Sequence, residues 1–566
     1  MPFAPATADQ RHVLESVAGI AELAATERFA AASPDVVDAV LDGIDELAAG
    51  EWAPLNREGD TVGAKWTEQG VVMPAGFAAA YKAYVEGGWG TIGVAEQWGG
   101  QGLPFVIQTA VLETLGSANM SLALCPTLTV AAIEALIHHG SPAQQAAYLP
   151  HLVTGEWTGT MNLTEPQAGS DVGALKTRAT PRGDGTWSIT GTKIFISFGD
   201  HDMAENIVHL VLARTPDAPA GTRGISLFLV PKYRLDAEGR PGAFNDIRVV
   251  SIEHKMGLHA SPTCVLSFGD NNECVGELIG PEMGGMRAMF TMMNNARLNV
   301  GLQGVQIAEA ATQAALAYAR ERIQGTREGK PAAIVEHPDV RRMLMRMKAQ
   351  TQAARALVYL AAAQVDRAAL GDAAAQERLE LLTPLAKAHA TDLGNEVASL
   401  CVQVHGGMGY IEETGVAQFF RDARIPPIYE GTNGIQAADL VGRKLSLDNG
   451  GVVARLIDDM RGEAEGAALA RLIDACDAVA RRLLAAETDD RLAGSYPFLT
   501  MLSVATCGWL MEKQARAASD DAFGRAKRAV AAFYGEQIVP EALGLEAAAT
   551  AGAAGLYALS AEALAG

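Results

Sequence analysis

The hydrophobic period changes twice along this chain of 566 residues, and few architectures accommodate that. Up to about residue 157 apolar residues recur with a 3.6-residue rhythm, as in PFVIQTAVLETLGSANMSLAL and TVAAIEALIHHG, which predicts amphipathic helices. Ser33-Pro34-Asp35 reads as a helix start, and EQWGGQGLP as a Gly-rich break. From Trp157 to about Gly269 the pattern gives way to short β-branched runs between turn residues: TWSITGTKIFIS, IVHLVLART, GISLFLVP and TCVLSFG. Gly183-Asp184-Gly185 has the composition of a hairpin turn between two of them. Helical periodicity returns at about Gly284 and runs to Leu447. Asn449-Gly450-Gly451 reads as a linker, and the Ala-rich remainder as further helices. The expected fold is α+β and multidomain, since a chain this long exceeds one compact core. The expected segments are an arm over 1–34, a helical domain over 35–157, a β domain over 158–280, a helical domain over 281–448 and an additional helical domain over 452–566.

Charge and composition narrow the function. Forty-five basic residues against 66 acidic ones give a formal charge of −21, which opposes nucleic-acid binding. Cys125, Cys264, Cys274, Cys401, Cys476 and Cys507 lack CxxC spacing and read as buried, reduced thiols. The N-terminus MPFAPATADQRHVLES shows neither a basic n-region nor an apolar h-region, and no run reaches the length of a membrane span, so a cytoplasmic protein is expected. His138-His139 and His201-Asp202 lack the partner spacing of a metal helix, and no metal is expected. A strand–GxGxxG–helix unit is also missing, so a Rossmann nucleotide site is not supported.

Three motifs carry the chemistry. Leu163-Thr164-Glu165-Pro166-Gln167-Ala168-Gly169-Ser170-Asp171, Gln403-Val404-His405-Gly406-Gly407-Met408-Gly409-Tyr410, and Arg421-Asp422-Ala423-Arg424 with Ile428-Tyr429-Glu430-Gly431-Thr432 occur in that order. Together they resemble the signatures of the acyl-CoA dehydrogenase family over about residues 35–447. The resemblance implies an N-terminal helical domain, a β-barrel-like middle domain and a C-terminal four-helix domain. The strings HKMGLHASPTCV, MFTMMNNARLNVGLQGV and HPDVRRML, with the long C-terminal extension, are similar to the branch that contains the 3-methylthiopropanoyl-CoA dehydrogenases.

In that family the position of Glu430 holds the catalytic base. The α-proton of a thioester is very weakly acidic, so its removal needs a positioned carboxylate and a stabilised enolate oxygen. Read alone, Glu430 could equally be an exposed loop carboxylate. The resemblance implies that Met161, Leu163, Thr164, Gly169, Ser170, Phe195, Ser197 and Thr432 line FAD, and that Ser170, Arg297 and Gly431 meet the acyl-CoA. Phe195 stands where the family usually has Trp; its alternative reading is a core aromatic. Arg322 matches an Arg that contacts the flavin phosphates, where a guanidinium can bind two oxygens at once. Gln403, Gly406 and Gly407 would reach the cofactor of a neighbouring subunit. Thr432 or Asn433 can cap the helix that follows the turn. Between residues 323 and 338 the resemblance lapses: a Phe is missing, residues are inserted, and Pro338 replaces a Gln. Tyr84, Trp89 and Phe105 could narrow an acyl pocket, with a core role the simpler reading.

The implied reaction is α,β-dehydrogenation of an acyl-CoA to a trans-2-enoyl-CoA. Glu430 takes the α-proton, the β-hydrogen goes to the flavin, and the thioester carbonyl is held by a backbone N–H and a ribityl hydroxyl. An electron-transferring flavoprotein would be the partner, and a homodimer or homotetramer the assembly. Three other uses of the fold remain open at this point: an oxygen-using acyl-CoA oxidase, a DNA-binding adaptive-response flavoprotein, and an inactive scaffold.

Overall fold

The structure, a computed structural model, describes residues 3–566. Two helices, α1 (Phe105–Ala118) and α2 (Met120–His139), lie at the heart of the N-terminal part and are apolar nearly all round. Contrary to the sequence expectation, α2 is long and apolar enough to cross a membrane by length and composition. Most of its apolar surface is buried inside the molecule against other helices and the sheet.

Eight strands form the middle sheet: β1 (Trp157–Asn162), β2 (Arg178–Pro181), β3 (Trp187–Ser197), β4 (Asn206–Ala213), β5 (Ser226–Pro231), β6 (Ile247–Ile252), β7 (Thr263–Phe268) and β8 (Val275–Ile279). Their order is β6-β7-β3-β8-β5-β4-β1, with β2 paired to β3. Only the β1–β4 pair is parallel. Alternation explains the continuous apolar runs. Val208, Leu210 and Leu212 of β4 join a core shared with α2, while Val211 and Ala213 face the core between strands. The Gly183–Gly185 turn joins β2 to β3, as its composition suggested, with both glycines at positive φ.

Three long helices follow: α3 (Gly285–Glu321), α4 (Pro338–Ala369) and α5 (Ala373–His405). Helices α3 and α5 touch backbone to backbone. A Cβ on Gly301 would stand 2.7 Å from the Ala386 carbonyl, and one on Gly304 would stand 2.1 Å from that of Ala390. Gly394 returns the contact from α5, with Gly304 3.0 Å from where its Cβ would be. The inserted stretch 323–338 is a hairpin, Ile323–Arg327 with Lys330–Ala333, and Pro338 takes the first position of α4, where its missing N–H costs nothing.

The last hundred residues are helical and share one continuous apolar core with the body, reaching from Val13 to Ala549. Helix α7 (Ser495–Ala517) is buried along most of its length. Two expectations need correction here. The 449–451 stretch is a sharp reversal rather than a loose linker: Asp448, Asn449 and Gly450 all have positive φ, and the next helix begins at Gly451. The Ala-rich end is not packed throughout: Leu556, Tyr557 and Leu564 are exposed, where the chain runs past the last buried residue, Ala553.

Arg421 and Asp422 lock three parts of the chain together. Arg421 reaches both oxygens of the buried Asp60, at 2.8 and 2.6 Å, and Asp422 accepts from the backbone N–H of Leu258. Asp60 also faces Arg57 and His259. Asp60→Ala is expected to lower stability by about 1–2 kcal/mol, because the half-buried Arg421 and Arg57 lose their hydrogen-bonded carboxylate; thermal unfolding of the FAD-loaded protein checks this.

Candidate active site

Glu430 sits between Tyr429 and Gly431 on a turn that leads into the short helix α6 (Asn433–Asp439). Its φ is 54° and that of Gly431 is 87°. A non-glycine residue in the left-handed region costs about 1 kcal/mol, so the turn is held by its surroundings. Thr432 caps α6 by accepting from the Ile435 N–H at 3.1 Å, and the Asn433 N–H reaches back to the Pro427 carbonyl at 3.0 Å. The Tyr429 hydroxyl is anchored on Gln303 of α3.

Two basic side chains reach the residue after Glu430: Arg297 from α3, whose guanidinium lies against Gly431, and Lys387 from α5, which bonds the Gly431 carbonyl. Burial raises the pKa of Glu430, and both cations oppose that rise. Arg297 is itself buried, its Nε has no protein partner among the described residues, and its guanidinium stands 4.0 Å from Asp439. The sequence reading found Arg297 and missed Lys387. Lys387 is fully buried and donates to the Gly431 carbonyl and to Asn433 Oδ1, each at 2.8 Å. Burial pushes its pKa down to about 7. The signal was a lone Lys in the apolar run PLAKAHA, which only the fold connects to the Glu430 turn. The buried Gln436 amide lies against Gly431 with both polar atoms unpartnered among the described residues.

The residues expected to line the flavin ring gather at the end of β1 and beside β3. Met161 shares a core with Met289 and Ala296 of α3, with Leu163 and Met293 at its edge, so this cluster adjoins Arg297 along the helix. The 165–168 turn closes through mutual backbone bonds between Glu165 and Ala168. Glu165 is wholly engaged within the protein. It accepts from Lys193 Nζ at 2.8 Å, the Thr177 N–H and hydroxyl, the Lys176 N–H and the Gln167 amide. Burial alone would raise its pKa, but Lys193 and these donors hold it at about 2. Glu165 therefore stiffens the turn. Thr164 accepts the Ile194 N–H through its carbonyl, Ser170 and Gly169 are exposed, and Ser197 is half-buried. Phe195 is not a core aromatic. It sits at a register shift between β3 and β7 with a φ of 60°, and it is 58% exposed. A bulge of this kind re-aims a side chain out of the sheet.

Arg322, Gln403, Gly406 and Gly407 form a separate group at the far end of α3 and α5, where Tyr318 stacks on His405. All four are exposed, as is Tyr410 at 87%. Tyr84 is a core residue, as the simpler reading had it, while Trp89 and Phe105 pack at the core's edge.

Comparison with known proteins decides the family. Residues 38–156, 160–271 and 283–445 match the N-terminal, middle and C-terminal domains of acyl-CoA dehydrogenase, and 452–560 match a domain described as acetyl-CoA dehydrogenase C-terminal like. A 3-methylmercaptopropionyl-CoA dehydrogenase of Ruegeria pomeroyi is 46% identical over 96% of this chain and 97% of its own length. The chain belongs to the acyl-CoA dehydrogenase family. A butyryl-CoA dehydrogenase of Syntrophomonas wolfei is 36% identical over 90% of each chain. The solved butyryl-CoA dehydrogenase of Megasphaera elsdenii superposes with a TM-score of 0.62 at 28% identity, covering 73% of this chain and 99% of that one.

The activity of this acyl-CoA dehydrogenase family member is α,β-dehydrogenation of an acyl-CoA, and its cofactor is FAD. The structure accommodates that cofactor. Nothing lies within 4 Å of where a Cβ would stand on Gly169, Gly406 or Gly407, so their backbones are open to close approach by a ligand. A cavity of about 480 Å³ beside Thr432 is a different feature, since it is lined by Asp392, Asn395, Arg424, Asn433 and Tyr496 and by no other residue expected to meet FAD.

If Glu430 acts as a base, its carboxylate must be ionised, and kcat/KM is then expected to fall as pH drops through its raised pKa. Arg297→Ala removes a charge that favours the ionised form, so it is expected to move this acid limb up by about one pH unit. A limb unmoved in a pH series of kcat/KM would place Arg297 outside the electrostatics of the base.

Proposed function

We propose that Glu430 is the base that removes the α-proton of a short acyl-CoA thioester. The observation that carries this is the placement of its carboxylate, on a strained turn in a recess, opposite Arg297 and Lys387. Burial raises its basicity, and Arg297 and Lys387 oppose that rise. Arg297 and Gly431 adjoin the carboxylate and would face the thioester, and the exposed Ser170 would meet the acyl-CoA as well. FAD, when bound, supplies the acceptor for the β-hydrogen. Met161, Leu163, Thr164, Gly169, Ser170, Phe195, Ser197 and Thr432 would hold it from one chain. The exposed ring of Phe195 offers a flat apolar face, and Thr164 offers a hydroxyl.

Arg322 lies 25 residues beyond Arg297 on the same helix, about 37 Å at 1.5 Å per residue. That is more than one FAD can span while its ring lies beside Glu430. Arg322, Gln403, Gly406 and Gly407 would therefore serve the flavin of a second copy, which supports a homo-oligomer. The exposure of Met408, Tyr410 and Ile411 at the same end accords with a surface covered in the assembly. The short acyl group is supported by the relatives named for 3-methylmercaptopropionyl-CoA and butyryl-CoA. An electron-transferring flavoprotein is the expected oxidant of the reduced enzyme.

Anaerobic mixing with butyryl-CoA or 3-methylthiopropanoyl-CoA tests the reading. The wild-type flavin is expected to bleach. Glu430→Gln is expected to keep its FAD and lose the bleaching by a factor of at least about 1,000, the scale expected for losing a general base together with its geometry. Bleaching of the variant at the wild-type rate would overturn the assignment.

A further inference from the structure

We propose that the C-terminal extension belongs to the active-site architecture: Tyr496 on α7 holds the turn that carries Glu430, through Asp392, Asn433 and Lys387 as positioning residues. The proposal rests on Glu430 being the base and says what keeps that base in place.

The chain of contacts is continuous. The Tyr496 hydroxyl donates to Asp392 Oδ2 at 2.6 Å. Asn433 Nδ2 donates to Asp392 Oδ1 at 2.8 Å, so both carboxylate oxygens of Asp392 are engaged. Lys387 Nζ donates to Asn433 Oδ1 and to the Gly431 carbonyl, each at 2.8 Å. The Asn433 amide has no freedom to flip, since its Nδ2 also donates to the Ala388 carbonyl at 3.1 Å and meets Thr391 Oγ1 at 3.0 Å. Its orientation is thereby fixed from both sides.

The receiving end of the chain is the part of the structure that most needs holding. Glu430 and Gly431 are consecutive residues at positive φ, a conformation that persists only where the surroundings over-determine it. The carbonyl that Lys387 grips is that of Gly431, immediately after the base. At the other end, α7 is a rigid anchor because it is buried along most of its length in the core shared with the body. Tyr496 itself is 38% exposed, so its ring is not required for that core. Removing only its hydroxyl separates positioning from packing. A purely structural role for the extension would be served by the apolar contacts of α7 and by ion pairs remote from the turn, such as Arg346 with Glu541 at 2.8 Å. It would not require a phenol aimed at Asp392.

The test uses the FAD-loaded full chain and whichever of butyryl-CoA and 3-methylthiopropanoyl-CoA bleaches the wild-type flavin. Tyr496→Phe is expected to lower kcat about threefold to tenfold, the value of one ordinary hydrogen bond, with KM, FAD content and thermal midpoint unchanged. Lys387→Met is expected to lower kcat about 100-fold, the scale of a small misplacement of a reacting group. Adding Tyr496→Phe to Lys387→Met is expected to cost nothing more, because both act through one chain. Exchange of the α-hydrogens of acetyl-CoA with D2O, which needs no β-hydrogen, is expected to slow in the same order. Wild-type kcat and exchange in Tyr496→Phe, or independent multiplicative losses in the double variant, would overturn the proposal. If Glu430→Gln is inactive in the same series, the base assignment survives that outcome; if Glu430→Gln exchanges like wild type, the base assignment fails first.

Discussion

The contact between α3 and α5 sets the geometry on which the rest depends. Gly301 and Gly304 on one helix meet Ala386, Ala390 and Gly394 on the other with no side chain between them. Two long helices at this separation form a stiff pair, and each presents one cation to the same small volume, Arg297 from α3 and Lys387 from α5. Glu430 is charged or neutral according to how the burial around it compares with these two neighbours. A wider helix pair would carry one cation away from the carboxylate. The small residues inside the bundle are thus as much a part of the chemistry as the charged ones.

Around that pair the protein arranges polar groups in two ways. Glu165 and Asp60 are saturated: each buried carboxylate is matched by cations or by several donors. Arg297 and Gln436 are left with polar atoms that no protein group meets among the described residues. A buried polar atom without a partner is costly, and both of these lie against the Glu430–Gly431 turn.

Sequence reasoning recovered the order of helical and β segments because the period of the apolar pattern is a local property, as the alternation in β4 and the helical rhythm of α2 illustrate. It singled out Glu430 and Thr164 from motifs of short spacing and Arg297 and Arg322 from their likeness to the family, and of the two arginines the structure brings Arg297 beside the Glu430 turn. It did not find Lys387, Asp392 or Tyr496, because their relation to Glu430 exists only after α5, α6 and α7 have packed. The role of Arg421 and Asp422 was hidden for the same reason: their motif was visible, but Asp60 and Leu258 are hundreds of residues earlier. Phe195 shows a subtler limit. Its place in a strand was readable, but the shift of register that turns it outward depends on how many residues β7 offers opposite it.

The pairing of Asp9 with Lys527, 3.0 Å apart, joins residues separated by 518 positions. A chain emerging from the ribosome makes its first helix early and this partner almost last. Gln10 of that helix finds the Ala110 carbonyl and Thr114, and Asp9 finds Gln352, well before Lys527 is made. The helix is thus matched in stages as synthesis proceeds, and Lys527 is the latest of these partners in the chain.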